Sequence, residues 1–239
     1  MGSGIYIAAA GAIAQSDAMD ATANNIANAG TSGFHAERVS FKEVLTKAKS
    51  PDQLSVQANT GKTLDSQNGA LLQTNNPLDV AIEGDGLFSV QTAQGTRYTR
   101  AGNFQLDSQG ALVTPDGYKV LGENGQPITM PPTATNIAVT SDGTINADNQ
   151  PVGKLKLAQF GANQLKREGA TLFSATGAPQ TSGTPPTVRS GVLESSNVNI
   201  VHGVVDLVKV QRSYESLMRV IQNYHDIDDQ TAKTLGGPR

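Results

Sequence analysis

From Ile200 the positions Ile200, Val204, Leu207, Gln211, Tyr214, Met218, Ile221, His225 and Asp228 follow one another by alternating steps of four and three. That unbroken heptad spacing predicts one long helix with a seam facing a partner helix. Val201, Val205, Val208, Leu217 and Tyr224 add a second apolar flank. A helix with two apolar flanks requires more than one neighbour. Ser195, Ser196 or Asn197 is the expected N-cap. The helix is expected to run to about Lys233, with Gly236-Gly237-Pro238 ending it.

A second helical pattern opens the chain. Ile5, Ala9, Ile13, Met19, Ala23 and Ile26 recur at helical spacing with one gap, at Ser16. About 24 helical residues would span ~36 Å. Most of this seam is alanine, which permits close approach but buries little area, so the helix is expected to be marginal alone and ordered when packed. Gly30 and Gly33 are expected to stop it. Asn24, Asn25 and Asn28 are poor interior helix formers, because their amides compete for backbone hydrogen bonds. Three together imply that the last turns are held from outside.

Between the helices the pattern changes to β. Residues 35–75 read as a polar connector, with a short helical or extended piece over Val39–Ala48 ended by Pro51. Asn68-Gly69 predicts a hairpin turn within Thr63–Thr74, and Asn75-Asn76-Pro77 a further turn. From Leu78 to about residue 160, short alternating strands are punctuated by Gly84-Asp85-Gly86, Ser108-Gln109-Gly110, Pro115-Asp116-Gly117, Asn124-Gly125 and Ser141-Asp142-Gly143. That rhythm predicts an antiparallel sandwich or barrel-like module, with Pro131-Pro132 separating two sub-sections. Leu165 and Leu172-Phe173 are expected to supply a last strand pair, and Thr181–Pro186 a loop.

The expected fold is therefore α+β, with long N- and C-terminal helices packing as a coiled-coil-like core and a mainly antiparallel β region inserted between them. Residues 1–34 and 198–239 form the helical domain in this reading. Residues 76–160 form the β domain, and 35–75 and 161–197 connect the two. A hydrophobic content of 37% with 5% aromatics and no Trp argues against a single large core and for thin β modules.

The net charge of −3 comes with no basic patch, so nucleic acid is not an expected partner. No apolar run is long enough for membrane insertion. The chain has no Cys, hence no disulfides or thiolate chemistry. Ile5–Ala14 is apolar and small, like a secretory leader, but no Lys or Arg precedes Arg38, so the segment is read as retained.

The residues offer no constellation for catalysis. Gly61-Lys62-Thr63 has the tail of a phosphate loop, but position 56, where the first glycine belongs, is Val56. Gly84-Asp85-Gly86 lacks the third glycine of a dinucleotide fingerprint and precedes a strand. Asp142–Asp148 lacks the order of a calcium loop and reads as a turn. His35, His202 and His225 have no metal spacing. No catalytic, cofactor or metal residues are expected, and the chain is not expected to be an enzyme. His225 and Gln211 read as polar seam residues that set register.

The terminal helices have two accounts that the residues leave open. They pack on each other within one chain, or they pack against other copies. One small-residue helix cannot cover a two-flanked partner, and the apolar surface left over marks an interaction site.

Several stretches resemble the axial proteins of the bacterial flagellum, the rod and hook family. Ala23–Phe34 (ANNIANAGTSGF) is similar to that family's N-terminal signature. Pro77–Val90 (PLDVAIEGDGLFSV) and Tyr98–Gly122 (YTRAGNFQLDSQGALVTPDGYKVLG) resemble its central β motif. Gly191–Asn199 (GVLESSNVN) and Asp206–Glu215 (DLVKVQRSYE) resemble its C-terminal motif. Chain length, the similarity of Val152–Leu157 and the lack of a longer insertion after Phe41 favour the proximal rod type, with the distal rod type as alternative.

The resemblance implies a structural subunit that polymerises through its terminal helices into a tubular driveshaft around an export channel. The implied partners are copies of itself, other flagellar rod proteins and the flagellar type III export apparatus. The implied location is the periplasmic rod of the basal body, reached without a cleaved signal peptide. A tube needs heterologous contacts that do not close. The expected contact residues are Ile5, Ile13, Met19, Asn24, Asn25, Ile26 and Asn28 on the first helix and its exit, and Val204, Leu207, Gln211, Tyr214, Met218 and Ile221 on the last. A secreted β-rich adhesin or binding module is the reading from a different class.

Overall fold

The computed structural model describes residues 2–46, 55–132, 134, 136–161, 164–180 and 185–235. Two long terminal helices pack together, and an antiparallel β region is inserted between them. The chain divides into two compact units.

The first unit holds residues 1–27, 37–65 and 199–239. Its helices are α1 (Gly2–Ala27) and α2 (Ile200–Leu235). Its strands β1 (Glu37–Thr46) and β2 (Ser55–Leu64) pair antiparallel, from Glu37 opposite Leu64 to Thr46 opposite Ser55, and lie against α1. Most of the stretch read from sequence as a connector is thus a long two-stranded ribbon. Pro51 and the end of the Val39–Ala48 piece lie outside the described residues, as do Gly236-Gly237-Pro238.

The N-cap of α2 is Asn199, not Ser195, Ser196 or Asn197. Its side-chain oxygen accepts the amide of His202 at 3.1 Å, and its carbonyl accepts Gly203 N–H at 2.9 Å. Asn197 is occupied elsewhere: its amide oxygen accepts Ala36 N–H at 2.8 Å, and its amide nitrogen donates to the Gln67 carbonyl at 2.8 Å.

The second unit holds residues 28–36 and 66–198. Its main sheet runs, in spatial order, Leu165–Glu168, Leu172–Ala175, Gly95–Thr99, Leu87–Thr92, Lys119–Val120, Leu112–Val113 and Gln105–Leu106, with Leu157–Ala158 also paired to Leu87–Thr92. Ile137–Val139, Thr144–Ala147 and Gln150–Lys154 form a three-stranded meander. Val80–Glu83 pairs with Thr187–Ser190, and Leu71–Gln73 with Val192–Glu194. Every one of these ladders is antiparallel.

Pro131-Pro132 falls between the main sheet and the meander in sequence, yet both sides share one core. Val80, Ile82, Phe88, Val90, Phe104, Leu112, Ile128, Ile145 and Val188 belong to the same buried cluster. Phe88 meets Phe104 edge-on, with ring centroids 5.0 Å apart. Within this unit the expectation of several thin cores gives way to a single one. The strand pair expected at Leu165 and Leu172-Phe173 is present, and Thr181–Thr184 lie outside the described residues.

The hairpin expected at Asn68-Gly69 is absent. Leu71–Gln73 pairs instead with Val192–Glu194, more than a hundred residues on. Glycine at 69 answers to proximity: a Cβ there would sit 1.8 Å from the Ser195 carbonyl oxygen. Gly33 carries both constraints, with φ of 67° and a Cβ position 2.4 Å from Ala101 N. Gly30 has neither a positive φ nor a close neighbour, so Gly33 is the constrained residue past the end of α1. Gly69→Ala is expected to destabilise the second unit by about 2 kcal/mol or more, because backbone must move. Thermal unfolding of the full chain checks this; an unchanged melting temperature contradicts the packing described.

Candidate assembly surface

The helices of the first unit run antiparallel in a fixed register. The Cα of Gly4 faces Tyr224, Gly11 faces Leu217, and Ile26 faces Gly203. One heptad separates Gly4 from Gly11, and one separates Leu217 from Tyr224. Ala8, Ala12, Ala14 and Ala21 are buried on α1. From Gly203 to Tyr224 the half-buried positions of α2 are Gly203, Leu207, Val210, Tyr214, Leu217, Ile221 and Tyr224, again in steps of four and three, and Thr231 follows one heptad later.

The seam on α2 is therefore out of phase with the expected one on one of its two rows. Leu207, Tyr214 and Ile221 lie on it. Val204, Gln211, Met218 and His225 are exposed, and their places are taken by Gly203, Val210, Leu217 and Tyr224. The reading of Gln211 and His225 as seam residues that set register is corrected accordingly. Gln211 instead donates to Glu215 Oε1, one turn along the same helix, at 3.2 Å. Hydrophobicity alone could not choose between two apolar flanks. Small residues decide it: Gly4, Ala8 and Gly11 allow close approach, and the large Leu217 and Tyr224 fill the space they leave.

On α1 the shift is similar. Ile5, Met19 and Ile26 are half-buried, whereas Ile13 is 65% exposed. Asn24 is exposed. Asn25 is half-buried and acts like a short strand toward β1: it donates to the Glu37 carbonyl at 2.8 Å and accepts Glu37 N–H at 2.9 Å. Asn28 accepts the Thr31 hydroxyl at 3.3 Å.

Packing within one chain leaves apolar surface bare. Val201, Val204, Val205 and Val208 stand at i, i+3, i+4 and i+7, the spacing of one helix face, and all four are exposed. Ile200 is exposed beside them. Tyr6, Ile7 and Ile13 on α1 are also exposed, as are Met218, Val220 and Ile227 on α2. A contiguous apolar face of this kind marks an interaction site.

Within the second unit, one buried ion pair ties together segments distant in sequence. Arg100 and Glu194 are each 3% exposed. Arg100 Nε donates to Glu194 Oε2 at 2.5 Å. Its Nη1 donates to the carbonyls of Gly84 and Gly86 at 2.9 and 2.6 Å, and its Nη2 to the Ile82 carbonyl at 2.8 Å. Glu194 Oε1 lies 3.1 Å from His35 Nε2 and accepts Gly69 N–H at 3.0 Å. The guanidinium of Arg167 covers the faces of Phe34 and Phe173, at 4.4 and 5.3 Å from the ring centroids, and donates to the His35 carbonyl.

The sequence reading missed this cluster. Its signal was an ionisable residue at the end of each strand motif, Arg100 in YTRAGNF and Glu194 in GVLESSN, where a half-buried strand has no evident use for charge. Burial pushes the Glu194 carboxyl up, but His35, Arg100 and the Gly69 amide outweigh it and hold it below the ordinary carboxylate value. A carboxyl that binds its proton less readily when folded contributes stability above the unfolded carboxylate range, and that stability is lost as pH falls through it. Asp142, lowered to about 2 by the hydroxyls of Thr140 and Thr144, and Glu168, lowered by Arg97, act in the same direction.

Glu194→Gln is expected to cost about 3 kcal/mol near neutrality, because it leaves the Arg100 charge buried without a counter-charge. It should also flatten the loss of stability between about pH 5 and pH 3 relative to the parent. Chemical denaturation across that range checks both; a variant with the parent's acid slope contradicts the clamp.

Among the described residues no group of His, Asp and Glu is placed to hold a metal ion, and no helix is long and apolar enough to cross a membrane. Paired terminal helices with a bare apolar face, flanking an inserted antiparallel region, define a class of architecture, and comparison with known proteins gives the class its family. Residues 5–35 match the family described as flagella basal body rod protein. Residues 81–147 match the D1 domain of flagellar hook protein FlgE/F/G, and residues 189–234 the C-terminal part of flagellar basal body rod FlgEFG protein.

Flagellar basal-body rod protein FlgF of Rhizobium meliloti (strain 1021) is 34% identical over 242 residues, spanning 100% of both chains. FlgF of Escherichia coli (strain K12) is 38% identical over 239 residues, with 93% of this chain and 94% of its own covered. FlgG of Agrobacterium fabrum (strain C58 / ATCC 33970) is 35% identical over 265 residues, with 97% and 98% covered. The chain belongs to the flagellar basal-body rod protein family, a family of structural, non-enzymatic components of the motility apparatus. Membership implies residence in the basal-body rod and assembly with rod subunits.

Proposed function

We propose that the chain is a subunit of the proximal rod, polymerising through its terminal helices into a tubular driveshaft that transmits torque and surrounds the export channel. The observation that carries this reading is the exposed face of Val201, Val204, Val205 and Val208, which the intrachain helix pair leaves uncovered. The proximal type is supported by relatives named FlgF, among them that of Rhizobium meliloti, which matches along 100% of both chains. The partners in this reading are further copies of the chain, other rod proteins and the type III export apparatus, with passage to the periplasm without a cleaved leader.

The expected contact residues divide by exposure. Ile13, Asn24, Val204, Gln211 and Met218 are exposed. Ile5, Met19, Ile26, Leu207, Tyr214 and Ile221 are half-buried, and Asn25 and Asn28 bond within the chain. These inner residues set the shape of the surface that neighbours meet.

Val205→Asp separates the two roles. It adds a charge to an exposed position, so stability should change by no more than about 0.5 kcal/mol, while swimming and rod assembly are lost. Leu207→Asp should in addition break the helix pair, since an unpaired carboxylate would be held in the seam. Normal motility in cells carrying Val205→Asp refutes the assembly surface. A β-rich adhesin would keep its binding after deletion of residues 1–30, whereas a rod subunit would not assemble.

A further inference from the structure

Asn68-Gly69 and Asn124-Gly125 are the two Asn-Gly pairs of the sequence. Asparagine before glycine is prone to cyclise, because a residue without a Cβ lets its amide nitrogen reach the asparagine side chain. The glycine nitrogen attacks Asn Cγ, a C–N bond forms, the Cγ–Nδ2 bond breaks, and ammonia leaves with the amide proton. Water then opens the cyclic imide at either carbonyl, giving aspartate or isoaspartate. Water is the one co-reactant.

The two pairs sit in opposite settings. At Asn68-Gly69 the nucleophile is held by a charge: Gly69 N–H donates to Glu194 Oε1 at 3.0 Å. Both flanks are pinned to the segment that follows Glu194. The Gln67 carbonyl accepts Asn197 Nδ2–H at 2.8 Å, and the Ala70 carbonyl accepts Ser195 N–H at 2.8 Å. The Ser195 carbonyl oxygen lies 1.8 Å from where a Cβ on Gly69 would be, so the glycine has little room to swing. Cyclisation there requires the clamp to open.

At Asn124-Gly125 the restraint is local. Residues 123–126 are all exposed, and a Cβ on Gly125 would meet nothing within 4 Å. Gly125 N–H donates to the Gly122 carbonyl at 2.8 Å, inside the same turn. A bond of that kind opens with the turn alone, at the low end of local opening energies. Asn124 Oδ1 accepts Gln126 N–H at 3.0 Å. That oxygen becomes negative when Cγ is attacked, so a donor already faces the charge as it develops.

We propose that Asn124 is a site of spontaneous modification, converting through the cyclic imide to aspartate and isoaspartate, and that the Glu194 cluster keeps Asn68 intact. The aspartate product sets a second carboxylate beside Glu123, whose Oε2 lies 3.5 Å from Lys154 Nζ. The isoaspartate product adds a methylene to the main chain between Leu121 and Pro127, which are bridged to each other, and so disturbs that pairing.

The test keeps the full-length chain folded in mildly alkaline buffer and follows it by peptide mapping. Each Asn-Gly peptide is scored for the amide-to-acid mass gain and for methyl transfer by an isoaspartyl methyltransferase. Conversion at Asn124 is expected to exceed that at Asn68 by about tenfold or more, reflecting the difference in local opening. In urea the two rates should converge, since glycine follows the asparagine in both. Asn197→Ala frees the Gln67 carbonyl and should raise conversion at Asn68 several-fold with Asn124 unchanged. Hydrogen exchange on the parent gives a check that needs no variant: the Gly69 amide should be protected and the Gly125 amide should not. Equal conversion at the two sites in the folded chain, or acid at Asn124 without isoaspartate, overturns the modification site. A Gly125 amide as protected as that of Gly69, or a folded Asn197→Ala chain that converts Asn68 no faster than the parent, overturns the contrast between clamp and turn.

Discussion

Gly4, Ala8, Gly11 and Ala12 bring α1 close to α2, and that closeness sets the rest of the helical unit. A small-residue face lets backbones approach, so dispersion contacts accumulate along the whole seam. It also has little breadth. α1 reaches Gly203, Leu207, Val210, Tyr214, Leu217, Ile221 and Tyr224 and shelters almost nothing beside them. The valines at the start of α2 are left in solvent because the neighbour that fits the seam is too slender to cover a second row. The bare face is thus a consequence of how the pair is held together.

The β unit is tied by a different interaction. Arg100 and Glu194 lie at the ends of strands far apart in sequence, and between them they engage Ile82, Gly84, Gly86, Gly69 and His35. Of the stretches that resemble the rod and hook family, Pro77–Val90, Tyr98–Gly122 and Gly191–Asn199 each contribute a member of this cluster. A buried pair of this kind adds little to stability compared with an apolar replacement, but removing one member is costly. It ties the strand at Leu71–Gln73, the turn at Gly84–Gly86 and the exit segment at Gly33–His35 to one arrangement that satisfies its hydrogen bonds.

Much of this was legible in the residues. The heptad steps after Ile200 and the small-residue periodicity before Ala27 located both helices, and the glycine-punctuated strands located the β region. The phase of the seam was not legible, because Val204 and Gly203 compete for one position and a hydrophobic pattern gives no weight to glycine. The ribbon of β1 and β2 was read as a connector because its polar sequence carries no alternation strong enough to announce a strand. Asn68-Gly69 misled for a related reason: local turn chemistry says nothing of Ser195, whose carbonyl lies where a side chain at 69 would be. The Arg100–Glu194 pair is a contact across 94 residues, and no window along the chain contains both partners.

The size of the bare face bears on how assembly proceeds. Full burial of a valine is worth about 1.5–3 kcal/mol, and the four valines are already partly covered, so a single contact yields on the order of 4 kcal/mol. Bringing two free chains together costs about 4–15 kcal/mol in lost translation and rotation. One contact of this kind does not hold a dimer. In the proposed tube an entering subunit would touch several neighbours and meet that cost once, so contacts too weak for a pair would suffice for a lattice. The same arithmetic shows why exposed valines are tolerated on a single chain: exposure is safe while each patch is small, and becomes decisive only where several are presented together.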